Sequence, residues 1–157
     1  MNKTKLIVAL LLFGIAAVVG YKLNNATQKS VTQLAASNPD CELRDGPCQA
    51  ELPSGGSIEF SIEPRSTPLM KPLSLTVSVR DFEITAAEID FVGIGMNMGY
   101  NRPQLKRVSN NRFEGSTTLP VCILQRMEWE ARLLLETDKG TVMAPFRFYT
   151  DKSPASP

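Results

Sequence analysis

Met127-Glu128-Trp129-Glu130-Ala131-Arg132-Leu133-Leu134-Leu135-Glu136 puts Met127, Trp129, Ala131, Leu133 and Leu135 on one side of an extended chain. Glu128, Glu130, Arg132, Leu134 and Glu136 fall on the other. A side-chain period of two marks a strand with one face on a core. The chain then turns through Thr137-Asp138-Lys139-Gly140, where Gly140 can supply a positive φ, and Val142, Ala144, Phe146 and Phe148 repeat the alternation. The two stretches predict a hairpin with Trp129 at the centre of the core.

The same period recurs upstream. Ile58, Phe60 and Ile62 alternate with Ser57, Glu59, Ser61 and Glu63, and Leu73, Leu75, Val77 and Val79 alternate with Ser74, Thr76, Ser78 and Arg80. Ile89 and Phe91 alternate with Glu88, Asp90 and Val92, while Asn110-Asn111 turns Leu105 to Val108 back onto Phe113 to Leu119. About seven short strands with frequent turn signals, and no helix-period stretch among them, predict an all-β fold. An immunoglobulin-like β-sandwich over residues 41–150 fits best, and a small closed barrel is the alternative.

The amino terminus reads as an address. Lys3 and Lys5 precede the apolar run Leu6 to Gly20, which is the pattern of an export signal. Val18-Val19-Gly20 is a mediocre cleavage site, and the run extended to Leu23 makes about 27 Å of helix, close to a bilayer's apolar thickness. Residues 1–23 are therefore expected to be a transmembrane anchor, with a cleaved signal peptide as the alternative. The leading lysines place the short amino terminus in the cytoplasm and the remainder across the inner membrane, in a bacterium the periplasm. Residues 24–40 are small and polar and read as a flexible tether, and 151–157 as a disordered tail.

Composition removes whole classes of function. The chain of 157 residues carries 17 Lys and Arg against 16 Asp and Glu, without the basic excess that follows nucleic acid. It has no His, so serine-hydrolase triads, the usual general base and every histidine metal site are excluded together. No nucleophile and base can be assembled from the spacing of the remaining residues, and a non-enzyme is expected. Glu128, Glu130 and Glu136 read as a solvated face.

The three cysteines are Cys41, Cys48 and Cys122. Cys41 and Cys48 enclose a short loop with a Gly-Pro turn, which predicts a structural disulfide in an oxidising compartment. A redox pair is the alternative, but the spacing is not that of Cys-x-x-Cys catalysts. Cys122 is left over, with core packing as its plain role. Met96 and Met98 form a Met-x-Met pair, and Met127 follows Cys122 by a few residues. Thioether and thiol sulfurs are the soft donors that suit Cu(I), and an i, i+2 pair lies on one side of an extended segment. These four sulfurs are the candidate metal ligands, against the alternative that all four fill gaps in a core.

Met96-Asn97-Met98-Gly99-Tyr100, Arg112-Phe113-Glu114-Gly115 and Met127-Glu128-Trp129-Glu130, behind a membrane anchor, resemble the FixH/YtkA-like bacterial envelope proteins over about residues 85–135. That group is broadly similar to the CopC-type immunoglobulin-like copper proteins. The resemblance implies an accessory role in copper delivery or respiratory oxidase assembly, with Met96, Met98 and Trp129 on motif positions. Such proteins often use His beside Met, and its absence here leaves Cu(I) or no metal. A second candidate is the loop Met98 to Pro103, whose Tyr100, Asn101 and Arg102 suit protein docking or serve as a plain strand connection. Two functions are thus expected in alternative: a tethered module that binds Cu(I) and serves a membrane oxidase or copper-handling protein, or a metal-free interaction domain that docks a membrane partner.

Overall fold

The computed structural model describes Ile7, residues 10–18 and residues 31–152. The chain divides into two units, 1–30 and 31–157. In the first, Ile7 and residues 10–18 are helical. Among the described residues no helix is long and apolar enough to cross a membrane. Most of the anchor expected over 1–23, residues 24–30 of the tether and residues 153–157 lie outside the described residues.

The second unit is mostly β, with ten strands in one mixed sheet. They are β1 Val31–Leu34, β2 Ala36–Ser37, β3 Cys48–Glu51, β4 Ser57–Glu63, β5 Pro72–Arg80, β6 Ala86–Gly93, β7 Gln104–Ser109, β8 Arg112–Thr118, β9 Arg126–Thr137 and β10 Gly140–Asp151. The strand order is β1-β10-β9-β6-β7-β8-β5-β4-β3-β2. The halves meet at β7, which pairs with β6 over only Ala87↔Leu105 and Glu88↔Gln104 before turning to β8. Folding there brings the two halves face to face: the rings of Phe60 on β4 and Phe146 on β10 lie 5.5 Å apart, although the order separates their strands widely.

Alternation in sequence becomes alternation in burial. The hydrophobic sides of β4, β5, β6, β9 and β10 form one core that includes Phe60, Val77, Ile89, Phe91, Leu133 and Phe148. Trp129 is fully buried and stacks on Phe148 at 6.4 Å, and its indole N–H donates to Thr150 Oγ1 at 3.0 Å. A buried indole without that acceptor would lose its bond to water and gain none. The hairpins form as the turns predict. Gly140 has φ of 118°, and Thr137 Oγ1 donates to its carbonyl while accepting the Lys139 amide. All described strands and core side chains lie within residues 31–152, so the second unit carries a complete core of its own.

The strand count exceeds the expected seven because of three short strands at the amino-terminal end. Residues 31–37, expected to be tether, form β1 and β2. β1 runs parallel to β10, with Leu34 opposite Met143, and the Ala35 amide donates to the Met143 carbonyl at 2.8 Å. Beyond Met143 comes Pro145, which lacks an N–H. The chain crosses to the other half, and Ala36 and Ser37 pair antiparallel with Glu51 and Ala50. One short segment thus closes both ends of the strand order. At the carboxyl end β10 runs through Asp151, the first residue of the expected tail, and the Lys152 amide donates to Gln125.

Cys41 and Cys48 form a disulfide with Cα atoms 5.8 Å apart, as their spacing predicts, which ties the chain before β3 to its first residue. Arg44 inside the bridged loop pairs with Asp151 at 2.8 Å and lies 4.2 Å above the Tyr149 ring, docking the loop onto β10.

Candidate sulfur site

Three connecting loops gather at one end of the second unit: 64–71 between β4 and β5, 94–103 between β6 and β7, and 119–125 between β8 and β9. Register explains the gathering. Pro72 sits opposite Thr118, Gly93 opposite Trp129, and Arg126 opposite Asp151, so the ends of these strands coincide. The loops also bond to one another: the Met70 amide donates to Leu119, and the Asn101 side-chain amide to the Thr118 carbonyl at 3.0 Å.

Here two of the sequence-predicted sulfurs meet. Cys122 is a free, buried thiol whose Sγ lies 3.5 Å from Met96 Sδ. The Leu124 amide points at the same Sγ from 3.5 Å, which orients the thiol within its loop. Met98 and Met127 converge on Gly93. A Cβ built on Gly93 would stand 2.5 Å from Met127 Cε, 2.7 Å from Met98 Cγ and 2.6 Å from the Met96 carbonyl oxygen. The missing side chain at 93 therefore makes the floor on which the thioether side chains lie. Met127 is 1% exposed and belongs to the core, whereas Met96 and Met98 are half-buried against it. Gly93 was not anticipated from the sequence, although a glycine ending a strand opposite a buried Trp is the signal that could have found it.

The donor set is soft. Among the described residues no three His, Cys, Asp or Glu side chains are grouped to hold a metal ion, so a metal here would rest on thioethers and one thiol. Metal–thiolate bonds run about 2.3 Å, so sulfurs 3.5 Å apart are within reach of one ion. A recess of about 520 Å³ opens beside them, lined by Asp90, Met96, Met98, Tyr100 and Arg102 among others.

The expected interaction loop divides by role. Asn101 is a structural brace: its side-chain oxygen accepts from Thr117 Oγ1 at 2.8 Å, and its carbonyl accepts the Phe91 amide. Arg102 donates to Asp90 Oδ2 at 2.9 Å and lies 3.8 Å from Glu88, so it is ion-paired along β6. The hydrogen bond to Asp90 raises its pKa further, and its Nε is buried with no acceptor. Tyr100 is the most open of the three, at 84% exposed, with the Arg102 guanidinium 5.7 Å from its ring centroid.

A smaller recess of about 200 Å³ lies nearby between Glu42, Arg126, Glu128 and Arg147. Burial pushes the Glu42 carboxyl above the usual carboxylate range against the opposing pull of Arg44, and its buried Oε1 has no hydrogen-bond partner. Glu130, by contrast, is paired with Arg132 at 2.6 Å.

No protein family matches this chain, and no curated protein or solved structure does either.

Proposed function

We propose that the chain is a noncatalytic, membrane-tethered module of the bacterial envelope whose immunoglobulin-like β-sandwich holds Cu(I) through Cys122, Met96, Met98 and Met127. The observation that carries this reading is the 3.5 Å contact between Cys122 Sγ and Met96 Sδ, beside a glycine on which Met98 and Met127 both pack. Cys122 meets Met96 through sulfur, and the Met98 and Met127 side chains pack against the same glycine that the Met96 carbonyl touches. Cu(I) favours such donors and does not need His. When bound it would supply a transferable soft cation, and the residues' part is to hold it and exclude water.

The sandwich reading rests on β8-β5-β4 facing β7-β6-β9-β10, with the last strand parallel to the first. The Cys41–Cys48 bridge suits an oxidising compartment. The resemblance to FixH/YtkA-like proteins adds the assignment of the cargo to a membrane oxidase or another copper-handling protein, with residues 6–23 in the inner membrane.

The test is titration of residues 24–157 with Cu(I) against a competing chelator, under anaerobic reducing conditions. Stoichiometric binding that Met96→Ser, Met98→Ser abolishes supports the reading. Failure to compete, with the fold intact by Trp129 fluorescence, overturns it.

A further inference from the structure

The loop end that contains the sulfurs has a second property, independent of metal. None of the loops 64–71, 94–103 and 119–125 contains an Asp or Glu, whereas they carry Arg65, Lys71 and Arg102. Arg126 follows the third loop, and the Lys152 Nζ lies 3.5 Å from the Ile123 carbonyl. Carboxylates pair with part of this set, Glu63 with Arg65 and Asp90 with Arg102, and Asp151 takes Arg44, which leaves Lys71, Arg126 and Lys152 outside the ion pairs of the described residues.

Within this cationic rim the tips are apolar. Ile123 is 81% and Met70 67% exposed, and Val121 and Leu124 stand in solvent beside them. The residues are held there by the frame. Cys122 is drawn inward to Met96 while its neighbours Val121 and Ile123 point out, and the Met70 amide is fixed on Leu119. Clustered exposed apolar side chains mark a contact with protein or membrane.

Two features favour lipid. Protein hot spots are enriched in Trp, Tyr and Arg and poor in Leu and Val, whereas the tips of the 119–125 loop are the branched aliphatics Val121, Ile123 and Leu124. Aliphatic tips flanked by Lys and Arg match the two attractions of an anionic bilayer, burial at the acyl boundary and charge in the headgroups. We propose that this end is a membrane-docking surface on which Val121, Ile123 and Leu124 enter an anionic lipid interface while Lys71, Arg126 and Lys152 face its phosphates. Charge complementarity selects the lipid. The inference goes beyond the copper reading and stands without it.

The test is flotation of residues 24–157, which hold the whole second unit and its core, with vesicles of phosphatidylglycerol and phosphatidylethanolamine or of phosphatidylcholine alone. The expected result is partitioning to the anionic vesicles that weakens with salt. Neutralising Lys71 and Lys152 to Gln should lower it by roughly 30-fold at low ionic strength, and Ile123→Asp, Leu124→Asp should abolish it. Buried Trp129 reports that each variant is folded. No binding to anionic vesicles, or binding that the aspartates leave unchanged, overturns the proposal. So does self-association in sedimentation that the aspartates remove while vesicles are ignored, since the occupant would then be a second copy.

Discussion

Cys122 Sγ and Met96 Sδ stand 3.5 Å apart across 26 residues of sequence, a sulfur–sulfur contact between the β8–β9 loop and the β6–β7 loop. In the proposed site the thiol becomes the one anionic donor and the thioethers remain neutral. Cys122→Ser should therefore lower Cu(I) affinity by roughly 100-fold or more, about 2.8 kcal/mol, and Met127→Leu by less. Chelator competition on both variants checks the order. Equal losses would mean that no thiolate bond is made.

Gly93→Ala is expected to disturb the site more than its single added carbon suggests. The methionine ends could swing aside, but the Met96 carbonyl oxygen 2.6 Å from the new Cβ is backbone and must move with its loop. We expect about 1–3 kcal/mol of destabilisation, together with weaker Cu(I) binding. Urea unfolding of the apo form measures the first, and chelator competition the second.

The Cys41–Cys48 bridge closes a short loop, so its constraint on the unfolded chain is modest. Replacing both residues with Ser should cost about 2 kcal/mol. The comparison is thermal unfolding of wild type, with and without reductant, against the double variant. Because Cys48 is 1% exposed, the single Cys48→Ser change also buries a hydroxyl and should be worse than Cys41→Ser.

Glu42 gives the pH dependence a definite sign. Burial raises its pKa in the folded state above the usual carboxylate value. Its contribution to stability is therefore fully present below that usual value and is lost as pH rises through the raised one. Glu42→Gln should flatten the stability profile across that mildly acidic window and be no less stable than wild type at neutral pH. Urea midpoints at several pH values decide it; a wild-type curve that rises through the window while the variant's stays flat would refute the sign.

What the sequence made legible follows the physics of each element. β4, β5, β9 and β10 announce themselves because each faces a core on one side, and burial imposes the period of two. β1 has no buried residue to impose it, so Val31–Leu34 reads as tether until its partner β10 is known. Asn101 and Arg102 read from the sequence as either a recognition loop or a plain strand connection, because their partners, Thr118 and Asp90, are fixed only by the fold. The sulfur residues could be picked out by chemistry, but their meeting point could not, since it depends on Gly93 and on register across β6 and β9. Near-zero net charge concealed the three acid-free loops, because a sum carries no positions.

The segment 31–37 also covers two strand edges at once. It occupies the outermost place on β10 and, a residue later, the outermost place on β3. Freeing it uncovers two unpaired rows of N–H and C=O groups at once, each a template for a strand from another chain. The strap of one molecule fits the vacated places on the next, so its displacement is the step that would start a swapped dimer or a growing fibril. Seven residues thus cover both edges at which the domain would otherwise offer a strand to a neighbour.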